Sequence, residues 1–143
     1  MAGARPGYSM GVKAGGGGQV KSLVVCFLGG SALAAFAAHT LKVAVPEKAK
    51  LIGVMMNVGL KGGTHSTSTL DVKNGSTSLL SAAFDVAAAT AATPVHKEIA
   101  SLAAGAASVA QNTEISIVTA ESGGSSPTWA DVTVQIDYVP LGD

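Results

Sequence analysis

An all-β chain folded as a jelly-roll-like β-sandwich of about eight strands is what this sequence predicts, and three observations predict it. Apolar residues recur at every second position through several short segments, as in Leu41, Val43 and Val45 or in Val132, Val134, Ile136 and Tyr138. An Asn74-Gly75 pair stands between two such segments, which is the residue chemistry of a tight hairpin turn. The composition is that of a small-residue β protein: 48% of the 143 residues are hydrophobic, yet only 13% are charged and 4% aromatic, with 18 Gly. Ordinary domains are about one quarter charged. Length and apolar content fit one domain with a core of its own.

The elements follow in chain order. Residues 1–21 carry no periodic apolar face, and Gly15 to Gly18 accept almost any backbone angle, so they form a flexible arm ahead of a β domain over residues 22–143. Such an arm becomes ordered only against an outside surface. Residues 22–28 read as a buried strand. They head an apolar run, residues 23–38, that has three bases before it and small residues after it, as a signal peptide would. The run is short of the ~20 residues a membrane helix needs, and Gly29, Gly30 and Ser31 interrupt it. No membrane partner is therefore expected.

Leu41, Val43 and Val45 alternate until Pro46 stops the ladder. In residues 50–58, Ile52, Val54, Met56 and Val58 share one face and Leu51, Gly53, Met55 and Asn57 the other; residues 59–63 then form a loop. The Asn74-Gly75 pair predicts a type I′ turn that pairs Lys73 with Ser76, Val72 with Thr77, Asp71 with Ser78 and Leu70 with Leu79. Leu70, Val72, Thr77 and Leu79 then point inward. The Ala-rich residues 82–110 hold a strand near 84–86, another near 95–99, irregular crossings between them, and room for one or two helical turns over 97–104. Residues 114–119 and 131–139 are strands, with Ile115 and Ile117 on one face of the first.

The chemistry is sparse. Nine basic and nine acidic residues give no net charge, which removes the generic electrostatic argument for nucleic acid. The balance is uneven along the chain: through Lys50 six bases meet one acid, net +5, and from Leu51 on three meet eight, net −5. A basic front segment of this kind is drawn to an acidic surface on a neighbouring copy or another partner. The single Cys26 excludes an intramolecular disulfide and lies in an apolar run that would hide it. Residues 15–22, GGGGQVKS, miss a phosphate-binding loop because Val20 stands where glycine is needed, and no strand-loop-helix surrounds them.

His96 and Glu98 share a strand face without a third ligand, so no metal site is expected, and the absence of a Gly-x-Ser-x-Gly elbow leaves enzymatic activity unsupported. No cofactor is implied. Asn74-Gly75-Ser76 is formally a glycosylation sequon, explained here as turn chemistry. Trp129, the only tryptophan, is either an interface anchor or sugar-stacking platform in a Gly- and Ser-rich loop over 121–129, or a ring folded over the end of the sandwich. The candidate partner-binding residues are Arg5, Lys13 and Lys21 in the arm, and Trp129.

The succession TLKVAVPEKAKLIGVMMNV (40–58), TLDVKNGSTSLL (69–80), VAQNTEISIV (109–118) and ADVTVQIDY (130–138) resembles small jelly-roll structural proteins of tailed bacteriophages, in particular head decoration or cement proteins. It covers about 100 residues from Thr40 onward, and where relatives often have Gly-Asp this chain has Asn112-Thr113. The resemblance implies a virion protein that binds the major capsid protein shell from outside, as a homotrimer or dimer, after assembly in the host cytoplasm. It also implies a stabilising role against internal DNA pressure. The alternative from another class is a carbohydrate-binding jelly-roll module of a phage tail or secreted protein. A third is a secreted or periplasmic β-domain with an uncleaved signal.

Overall fold

The computed structural model of the chain describes residues 19–27, 33–34 and 38–142. Eleven strands occur among them: β1 (Lys21–Phe27), β2 (Leu33–Ala34), β3 (Ala38–Ala44), β4 (Ala49–Thr64), β5 (Thr67–Asn74), β6 (Thr77–Ser78), β7 (Phe84–Asp85), β8 (Val95–Glu98), β9 (Ser108–Val109), β10 (Glu114–Ser122) and β11 (Ser125–Pro140). Between β8 and β9 the Ala-rich stretch makes a 3-10 turn, Ser101–Ala103, and one helical turn, α1 (Ala104–Ala107).

Two antiparallel sheets result. One runs β1-β11-β4-β8, with β2 also on β11 and β9 on β4; the other runs β3-β10-β5-β6, with β7 on β5. Their inner faces enclose the core, Leu51, Val54, Met56, Val58, Val132, Val134 and Ile136 from the first facing Leu70, Val72, Ile115 and Ile117 from the second. The all-β jelly-roll-like sandwich expected from the alternation is thus the observed fold, and the inward parity of β10 and β11 is the one the sequence pattern predicts.

Four local expectations are corrected. The hairpin turn sits one residue further on, with Asn74 opposite Thr77, Lys73 opposite Ser78 and the Leu79 amide donating to the Val72 carbonyl at 2.8 Å. Gly75 has φ +61° and Ser76 has no positive φ, the pattern of a type II′ turn. Asn74 stays in the ladder because its side-chain amide donates to the Ala106 carbonyl at 2.9 Å, and Thr77 consequently faces solvent.

In β4 a bulge at Ile52, between the Gly53–Asp137 and Leu51–Tyr138 pairs, flips the alternation, so that Leu51 joins the core and Ile52 leaves it. The segment 59–63 is strand, not loop. Its glycines are needed there: a Cβ on Gly59 would lie 2.8 Å from the Asp131 Cβ, and one on Gly62 would lie 2.5 Å from the Thr128 Oγ1. Lastly, β1 is an edge strand rather than a buried one. Leu23 and Val25 pack against the core, but Val24 is 57% exposed and Cys26 is exposed, its Sγ 3.6 Å from the Thr133 hydroxyl.

The left-handed Gly75 gives a direct test of the turn. A Cβ there would meet nothing within 4 Å, so the cost of Gly75→Val is conformational alone, about 1–2 kcal/mol, whereas Gly75→Asn costs less because Asn tolerates positive φ. Thermal unfolding of the two variants checks this, and equal midpoints would contradict the left-handed turn.

Candidate functional site

Of the partner-binding residues expected from sequence, Lys21 and Trp129 fall among the described residues, and they lie apart along β11, Lys21 pairing with Tyr138. Arg5 and Lys13, with the arm up to residue 18, lie outside the described residues. Lys21 opens β1, so the strand begins inside the segment assigned to the arm. Its ammonium donates to Glu47 Oε2 at 2.7 Å, and Tyr138 donates to the same oxygen at 3.4 Å. The hydrogen bond to Glu47 holds the Lys21 ammonium above its usual range, and burial together with Glu47 pushes the Tyr138 hydroxyl up. A second surface pair, Lys42 with Glu114 at 3.5 Å, joins the basic front of the chain to the acidic remainder, whereas Lys21 and Glu47 both belong to the front. Part of the charge asymmetry is therefore neutralised within the chain.

Trp129 lies on β11, not in a loop, and is fully buried. Of the two readings of this residue the core ring is the observed one, so its ring offers no surface to a partner or a sugar in the folded chain. Around it is a polar cluster that joins the sheets at one end of the sandwich. His65, in the turn between β4 and β5, places Nδ1 2.8 Å from the Ser68 hydroxyl and Nε2 3.2 Å from the Thr128 carbonyl. Ser68 on β5 donates to Glu121 Oε1 on β10 at 2.5 Å, and the Trp129 indole N–H donates to the same oxygen at 2.9 Å. The His65 and Glu121 side chains are each 4% exposed and lie 3.4 Å apart. Burial pushes the Glu121 carboxyl up, but the hydrogen bonds from Ser68 and Trp129 and the His65 ring outweigh it and hold the group below the usual carboxylate range.

These are the residue types of a hydrolytic triad in the wrong order. A nucleophilic serine needs the imidazole between itself and the acid, whereas here Ser68 lies between His65 and Glu121 and is itself fully buried. Sequence reasoning passed over this cluster, although the parity of the strands contains the signal. Ser68 falls on the inward face with Leu70 and Val72, and Glu121 on the inward face with Ile117 and Thr119. A carboxylate on a core parity must be paired.

Elsewhere the chemistry is exposed or occupied. His96 and Glu98 meet at 3.5 Å in the open, and among the described residues no group of three metal-ligating side chains occurs. An open groove of about 640 Å³ runs between the β6 and β8 flanks, lined by Ser78, Leu80, Ile99 and the fully exposed Leu102. Its one ammonium, Lys97, already donates to the carbonyls of Ala82 and Ala83.

No family model and no curated protein matches the chain. Among solved structures, the chain is similar to one in the cyanophage Pam1 capsid asymmetric unit, with a TM-score of 0.51 and 22% identity over 96% of this chain and 98% of that one. It is more loosely similar to a chain in the structure of infectious bursal disease virus Gx strain, with a TM-score of 0.44 and 10% identity over 89% of this chain and 34% of that one, a likeness too slight to carry weight. The cyanophage likeness is one of fold.

Proposed function

We propose that this chain is a viral structural protein that binds the outer face of a bacteriophage capsid shell and stabilises it, as a decoration or cement protein working in a homo-oligomer, trimer or dimer. The observation that carries the reading is the end-to-end match of fold with a chain of a capsid asymmetric unit. The open edges support the reading: β1 and β3 close the two sheets as edge strands, with Val24 57% and Leu41 37% exposed. Edge strands showing apolar side chains are places where another chain packs or pairs. Repetition by symmetry then turns modest contacts per copy into firm attachment.

The test is co-sedimentation with shells that lack the protein, across a salt series. The intact chain is expected to sediment with the shells. Removal of residues 1–18, which leaves β1 whole, is expected to lower occupancy several-fold because the arm adds contact area. Replacing Arg5 and Lys13 by Ser is expected to weaken attachment at low salt more than at high salt, where screening has already removed much of their attraction. Absence of binding by the intact chain at every salt concentration would overturn the proposal.

A further inference from the structure

With Glu121 ionised, as a carboxyl held below its usual range is, the hydrogen-bond arithmetic of the His65 cluster does not close around a neutral ring. The Thr128 carbonyl can only accept, so His65 Nε2 must carry a proton to meet it at 3.2 Å. The Ser68 hydroxyl has one proton and gives it to Glu121 Oε1 at 2.5 Å. Its oxygen can then only accept from His65 Nδ1 at 2.8 Å. Both ring nitrogens must therefore donate at once, which only an imidazolium does. A neutral ring leaves the chain one proton short: either the His65–Ser68 or the Ser68–Glu121 contact sets lone pair against lone pair.

From this geometry we infer that His65, Ser68 and Glu121 form a pH-sensitive clamp across the two sheets, closed when His65 is doubly protonated and Glu121 ionised, and loosened when His65 loses its second proton. The clamp ties the β4–β5 turn and β5 to β10 and β11, and Trp129 hangs from the same carboxylate oxygen. Facing the ring are Ser68 from β5, Glu121 from β10, and the Thr128 carbonyl and Trp129 indole from β11, the indole centroid 6.4 Å away. Among the described residues Glu121 is the one titratable group in that set. Its other oxygen, Oε2, is buried without a hydrogen-bond partner, so the His65 charge adds to the compensation that Ser68 and Trp129 give through Oε1.

The sign follows from the two groups. The imidazolium contribution is lost as pH rises and the ring gives up the second proton that the Ser68 and Thr128 contacts require. The Glu121 contribution, from a carboxyl held low, is present above the ordinary carboxylate range and is lost only as pH falls through its lowered value. The clamp is thus strongest between the two proton losses, where His65 is doubly protonated and Glu121 ionised.

The clamp belongs to the isolated chain, so its test needs no shell. The thermal midpoint of the full chain is expected to rise by about 3 °C between about pH 8 and pH 5.5. In His65→Gln, which cannot gain a charge, that rise is expected to vanish, while in His96→Gln it remains. Nitrogen chemical shifts of the His65 ring in the wild-type chain give a readout that does not depend on any variant folding, and both nitrogens are expected to be protonated at the pH of the highest midpoint. A ring singly protonated throughout that range, or a His65→Gln variant with the wild-type pH dependence, would overturn the inference.

Discussion

Trp129→Ala is expected to destabilise the fold by about 3–5 kcal/mol, among the largest effects a single truncation in this chain can have. Trp129 is the largest of the fully buried side chains, so truncation leaves a cavity that the flanking strands can close only in part. It also strips the indole donor from Glu121 Oε1, in a carboxylate whose Oε2 already lacks a partner. Trp129→Phe separates the two contributions, because it retains most of the ring and loses the N–H. Its expected cost of about 1–2 kcal/mol is that of the polar group alone. Urea unfolding measures both, and a Trp129→Ala variant within about 1 kcal/mol of wild type would mean that the ring is not a core element.

What was readable in the sequence was whatever depends on one strand at a time. The alternation of β10 and β11 places Ile115, Ile117, Val132, Val134, Ile136 and Tyr138 inward, and all are buried. Features that depend on a partner strand were not readable. The bulge at Ile52 exists because β11 pairs across it without an extra residue, and nothing within residues 50–58 marks the switch. The glycines at 59, 62 and 63 look like loop punctuation, yet they fill ladder positions that Asp131, Thr128 and Ser126 crowd from β11. An apolar run such as Leu23 to Val25 cannot say by itself whether it lies at the centre or the edge of a sheet; here it lies at the edge. The His65 cluster stands between these cases. Parity marks Ser68 and Glu121 as inward, whereas His65 reaches them only through the turn geometry between β4 and β5.

That turn geometry makes Gly124, with Gly63, one of the two most exacting glycine positions among the described residues, and Gly124→Ala is expected to cost at least about 3 kcal/mol, from left-handed strain plus a forced backbone shift. Gly124 has φ +78°, and a Cβ built on it would lie 2.1 Å from the Thr64 carbonyl oxygen and 3.2 Å from the Ser66 amide nitrogen. These are backbone atoms, so no rotamer change relieves the contact. The residue at 63 faces the same constraint from the other side, with a Cβ at 2.0 Å from the Ser126 carbonyl oxygen. The β4–β5 and β10–β11 turns therefore pack backbone to backbone, and His65 is carried between Thr64 and Ser66 at that contact. Gly105→Ala serves as the control, since a Cβ there meets nothing within 4 Å in a helical turn and is expected to be neutral or stabilising by about 0.5–1 kcal/mol. Pushing the turns apart also moves His65 from Ser68, so Gly124→Ala is expected to lose the pH dependence of the thermal midpoint together with its stability, while Gly105→Ala retains it. A Gly124→Ala chain that melts like wild type would show that the two turns do not meet in this way.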